Sequence, residues 1–134
     1  MMDCVKKEGY SKFSIVIGPS GIFLIETKNW SRASIENNDF FSPVEQIKRN
    51  NYALFCYLNG YINGSFFSAF NDNWGSRKIS PRNVILMINS KPKKEFQFVK
   101  ILFLSEVCNY ITYFDKTFND EQVKQLIYFL SYGN

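Results

Sequence analysis

Apolar residues run along this chain in two rhythms. Residues 13–17 and 22–27 are almost continuously apolar and β-branched, as in strands covered on both faces. Gly18-Pro19-Ser20-Gly21 lies between them. Glycine takes positive φ without penalty and proline presets a turn, so the two strands are expected to fold back as an antiparallel hairpin. From Ser42 the rhythm lengthens: Val44, Ile47, Asn51, Leu54, Phe55 and Leu58 fall near helical spacing and form one face. Ser42 suits an N-cap, Pro43 the first helical position, and Asn59-Gly60 the helix end. Residues 84–89 read as a strand, Lys91-Pro92-Lys93-Lys94 as a turn, and 96–104 as containing a further strand. Asn119 caps a last helix, with Gln122 at the capping-box position and Val123, Leu126, Ile127 and Leu130 on its core face.

Other segments are less regular. Residues 33–36 read as a short strand followed by an Asn37-Asn38-Asp39 turn, and 109–114 as a short strand or a helical turn. Residues 60–82, rich in Gly, Asn and Ser with Phe66, Phe67, Phe70 and Trp74, read as a long loop, a ragged strand pair or a lid. Asp3, near the start, is expected to fray. The resulting order, β-β-(β)-α followed by β-β-α, predicts an α/β sheet with helices packed on it, in one domain spanning 1–134.

Composition narrows the chemistry. The chain contains no His and three cysteines, Cys4, Cys56 and Cys108, at spacings that fit no zinc motif. Zinc sites and His-based acid–base or triad catalysis are thereby excluded. An enzyme built on this chain works with carboxylates, lysine and a hard metal. The net charge of +4 is compatible with a nucleic-acid partner without requiring one. The basic runs Lys91-Pro92-Lys93-Lys94 and Arg77-Lys78 with Arg82 suit either phosphate contacts or solvated loops. No secretory h-region and no apolar run of membrane-spanning length is seen, which leads to the expectation of a soluble, cytoplasmic protein with no membrane partner.

The residues that carry most chemistry are Glu26 and Lys28, at the exit of the second strand. Side chains alternate along a strand, so both lie on one face. A carboxylate and an ammonium placed this way can hold a divalent ion and steer a water, or can form no more than a salt bridge at a strand's end.

Residues 15–30, with Glu26-Thr27-Lys28-Asn29-Trp30 after the glycine turn, and then Ser42-Pro43-Val44-Glu45-Gln46, resemble the core of the nuclease-related (NERD) domain. That family is a branch of the restriction-endonuclease-like PD-(D/E)XK superfamily. The resemblance covers about a third of the chain. It implies a restriction-endonuclease-like mixed β-sheet core flanked by helices, N-terminally shortened here, since only residues 1–12 precede the first strand of the motif. It also implies a possible deoxyribonuclease using Mg²⁺ or Mn²⁺ on DNA. Glu26 would bind the metal, Lys28 would activate water and offset transition-state charge, and Gln46 would reach the site from the helix. Arg49 and Asn50, about one turn on, would contact phosphate. One departure stands out: the family's metal-binding Asp falls in register with Phe13. Glu8 and Asp39 are the candidate replacements, and Trp30 either stacks on a base or covers the core edge. Three functions remain open: a metal-dependent nuclease, an inactive nucleic-acid-binding relative, or a protein-interaction module on the same fold.

Overall fold

The computed structural model describes residues 3–6, 13–37, 40–62 and 78–132. Its centre is a five-stranded mixed sheet in the order β1-β2-β3-β4-β5: β1 (Asp3–Lys6), β2 (Phe13–Gly18), β3 (Gly21–Lys28), β4 (Arg82–Met87) and β5 (Val99–Phe103). β1, β2 and β3 pair antiparallel; β3–β4 and β4–β5 pair parallel. The expected hairpin forms with Gly18 opposite Gly21. Gly21 has φ +138°, a conformation that a side chain would strain. The carbonyl of Pro19 in this turn accepts hydrogen bonds from the Thr117 and Phe118 amides (2.6 and 3.0 Å). The Ser20 hydroxyl donates to the Ile111 carbonyl at 2.7 Å. Two distant segments therefore latch the turn.

The sheet buries both faces. On one, Ile15, Ile17, Ile22, Leu24, Ile85 and Met87 pack against α2 (Phe41–Ile62) and α4 (Asp120–Tyr132), which form the larger core. Tyr57 of α2 stacks on Phe129 of α4, with ring centroids 4.8 Å apart, and joins the two helices. On the other face Phe23, Ile25, Val84 and Leu102 pack under α3 (Leu104–Tyr113). α4 begins at the expected cap: the Gln122 amide donates to Asn119 Oδ1 at 2.8 Å, and the Asn119 amide donates to Gln122 Oε1 at 3.0 Å. The reciprocal pair satisfies two amide donors at the helix start.

The structure corrects several local expectations. Residues 33–36 form no strand; they belong to the short helix α1 (Arg32–Asn37). Ser31 caps it, accepting from the Ser34 amide at 3.1 Å on its hydroxyl and from the Ile35 amide at 3.0 Å on its carbonyl. Asp3 does not fray but starts β1, whose backbone fills the open edge of β2. Helix α2 begins at Phe41, just after Phe40 with φ +45°, and runs past Asn59-Gly60 to Ile62. Asn59 does not stop the helix. It is buried, donates to the carbonyls of Phe55 (2.7 Å) and Ile79 (2.8 Å), and accepts from the Ile79 amide at 2.7 Å. Of residues 109–114, all but Phe114 continue a helix that starts at Leu104, where the Glu106 carboxylate accepts from the Phe103 amide at 2.9 Å. The aromatic stretch from Phe66 to Trp74, and Arg77, lie outside the described residues.

Candidate functional site

Glu26 and Lys28 occupy the C-terminal end of β3, the central strand of the sheet. Ile22 and Leu24 of the same strand pack into the larger core. Alternation therefore turns Glu26 and Lys28 toward α2 as well. Glu26 is only 1% exposed, while Lys28 is half-buried. Burying a carboxylate is costly without polar partners, and α2 supplies one: Asn50 Nδ2 donates to Glu26 Oε1 at 3.1 Å. The long helix is itself tied to the sheet by the neighbouring amide. Asn51 Nδ2 donates to the Pro81 carbonyl and to Asn83 Oδ1, both at 2.7 Å, on the approach to β4. Two consecutive asparagines thus fix the helix over two strands, and one of them holds the Glu26 carboxylate.

Gln46 lies one turn before Asn50. Residues four apart share a helix face, so Gln46 faces the same way and is half-buried. Arg49 is exposed on an adjacent stripe of α2. The structure therefore brings together Glu26 and Asn50, aligns Lys28 and Gln46 with them, and leaves Arg49 on the outer surface. Asn50, read from sequence as a phosphate contact, sits against the carboxylate. The signal available in the sequence was its spacing of four from Gln46, on a stripe beside the apolar face of the helix. Trp30, just beyond the site, packs edge-on against buried Phe40 with centroids 4.9 Å apart, at the margin of the core.

The register of the hairpin bears directly on metal binding. Phe13 is the cross-strand partner of Glu26, and directly opposed residues put their side chains side by side on the same face. The position at which the family resemblance places a second carboxylate carries a phenyl ring instead, packed against the larger core. Glu8 and Asp39, the candidate replacements, lie outside the described residues. Among the described residues no three His, Cys, Asp or Glu side chains gather closely enough to hold a metal ion. Hard divalent cations need a set of oxygen ligands, and these residues provide one carboxylate flanked by amides. They do not fit a resident Mg²⁺.

The strand ends beside the site are joined. The Ile88 amide donates to the Lys28 carbonyl at 3.2 Å, and Asn89 Nδ2 donates to Asn29 Oδ1. The segment leaving β4 therefore starts beside Lys28. Farther along, Lys91 pairs with Glu106 at 3.1 Å. The Phe103 amide, and after it the Lys91 ammonium, hold the Glu106 carboxyl below the usual carboxylate range.

The nuclease-related domain family model matches residues 14–86, more than half of the chain. No curated protein and no solved structure matches. The chain belongs to the nuclease-related domain family and, with it, to the restriction-endonuclease-like PD-(D/E)XK superfamily; the mixed sheet flanked by helices is the fold expected of that membership. Among the described residues no helix is long and apolar enough to cross a membrane.

Proposed function

We propose that this member of the nuclease-related family engages the phosphodiester backbone of DNA at the Glu26–Lys28 end of β3 and does not cut it efficiently. The observation that supports this is the phenyl ring of Phe13 beside Glu26. In-line hydrolysis of a phosphodiester needs charge neutralised around the attacking and leaving oxygens, commonly by divalent metal. A single buried carboxylate with an asparagine on one oxygen is a poor anchor for such an ion. What remains is suited to holding a phosphate: the Lys28 ammonium for charge, and the Gln46 amide for orientation. Asn50 keeps the Glu26 carboxylate in place.

Hydrolysis of DNA with Mg²⁺ or Mn²⁺ is the competing reading. It is favoured by Glu26 itself, a carboxylate kept buried on the central strand with an amide donor on it at a cost in stability that a purely structural position would not need. It requires a carboxylate beyond those described.

The two readings separate in one assay. Single-stranded and duplex DNA are incubated with the protein and Mg²⁺ or Mn²⁺, beside a Lys28→Ala control, with binding followed in parallel. The expected result is binding that weakens with salt and no cleavage above the control. Cleavage by the wild type that disappears in Lys28→Ala sinks the non-cutting reading. Phe13→Asp should restore a second carboxylate beside Glu26 and yield a metal-dependent rise in melting temperature that the wild type lacks.

A further inference from the structure

The chain leaving the site end of the sheet forms a basic groove. A hollow of about 650 Å³ opens along β5 and is lined by Arg32, Lys91, Lys93, Lys94 and Lys100, with Glu95 the one carboxylate among the described lining residues. Five cations less one carboxylate give the described lining a net charge of +4, equal to that of the whole chain. An adjoining hollow between α1 and residues 91–96 adds Glu36. Lys91 is held by Glu106; Arg32, Lys93, Lys94 and Lys100 make no ion pair among the described residues. The groove is walled by the two segments that leave the carboxyl ends of the parallel strands β3 and β4, the place where open α/β sheets receive ligands. Arg32 follows Lys28 by four residues, and the 88–94 segment starts at the Ile88–Lys28 hydrogen bond.

A second hollow, of about 550 Å³, shares Phe96, Val99 and Lys100 with the first and carries Phe98 and Arg82. Phe98 is 76% exposed and has φ +65°. That left-handed backbone is unfavourable for a bulky residue, and such strain concentrates at binding sites. An apolar ring is thus held out in solvent at the rim of a cationic channel.

We propose that this groove is a track for a single strand of nucleic acid. Arg32, Lys93, Lys94 and Lys100 take successive phosphates, and the Phe98 ring stacks on an unpaired base. The assignment rests on the nucleic-acid reading above and specifies its substrate form. Charge complementarity identifies a polyanion. The exposed ring favours a single strand, because only unpaired bases offer a free face for stacking.

The test is fluorescence anisotropy with labelled oligothymidine and with the corresponding duplex, across a salt series. Lys93 and Lys94 are exposed loop residues, so a Lys93→Glu/Lys94→Glu variant should fold normally, as circular dichroism can verify. It should bind oligothymidine at least about tenfold more weakly, with a slope of log affinity against log salt shallower by roughly 0.7 for each phosphate no longer neutralised. Phe98→Gly suits the left-handed backbone. It should weaken single-strand binding by roughly fivefold or more, as expected for loss of one stacked base, and leave duplex binding unchanged. Binding that survives the charge reversal with its salt slope intact overturns the groove while leaving the DNA reading standing. Unchanged single-strand binding by Phe98→Gly overturns the single-strand assignment. A wild type that binds neither probe overturns both this inference and the function on which it rests.

Discussion

Glu26 and Asn59 are both buried polar groups where α2 meets the sheet, and they are treated differently. Asn59 is neutral and makes three hydrogen bonds, to the Phe55 carbonyl and to both backbone groups of Ile79. It acts as a strand-like partner for the segment leading into β4. Glu26 is a carboxylate on the central strand, held by the amide of Asn50 and flanked across the hairpin by a phenyl ring. A neutral amide that satisfies three main-chain groups stabilises a fold. A buried carboxylate burdens it, because ionised groups lose far more on leaving water. The first arrangement is explained by folding alone; the second is accounted for by the proposed role of the site.

The largest effect should come from the structural member. Asn59→Ala leaves the buried amide and carbonyl of Ile79 without their partner and is expected to cost about 3 kcal/mol, read by urea denaturation. Glu26→Gln keeps the shape and an acceptor for Asn50 while removing the charge. Its stability should stay within about 1 kcal/mol of wild type or rise. Asn50→Ala should cost about 2 kcal/mol when Glu26 is present and less beside Gln at position 26, giving a measurable coupling in a double-mutant cycle. If Glu26→Gln destabilises as strongly as Asn59→Ala, the contrast fails and Glu26 is a structural residue.

The smallest effect belongs to a half-buried carboxylate, which sharpens the comparison from the solvent side. Glu106 has its pKa lowered from 4.5 by the Phe103 amide and then by Lys91. A lowered folded-state pKa means stability that is present above the unfolded value and lost as pH falls through the folded one. Melting curves of wild type and Glu106→Gln should therefore differ modestly at neutral pH and converge in acid. A gap that does not shrink as pH falls below 4.5, or that widens there, contradicts this assignment.

How far the fold could be read from sequence followed the reach of the forces involved. The β2–β3 hairpin was legible because a glycine-bounded turn separates two apolar runs, and the start of α4 because Asn119 and Gln122 satisfy each other locally. β1 was not, since Asp-Cys-Val-Lys has no periodicity and becomes a strand only by pairing with the edge of β2. α1 was missed because Ile35 in a short segment suited a strand, and the Ser31 cap decided otherwise. α3 had a readable face in Val107, Tyr110 and Ile111, which pack around Phe23 together with Phe114 just beyond the helix end. The capping carboxylate of Glu106 turns the chain into that helix earlier than its aromatic and β-branched residues suggested. At the candidate site, the common face of Glu26 and Lys28 and the helix bearing Gln46 were legible. The contact of Asn50 with Glu26 was not, because it depends on how α2 lies across β3.

β4 and β5 run parallel, yet residues 88–98 between them contain no helix, although such crossovers usually carry one. Among the described strands β5 has one neighbour, β4, while β3 is clasped on both sides. The sheet should therefore zip outward from the β2–β3 hairpin and acquire β5 last. Amide hydrogen exchange should find β5 opening at lower free energy than β3. The lysine-rich wall carried on 88–98 would then loosen without disturbing the strand that bears Glu26.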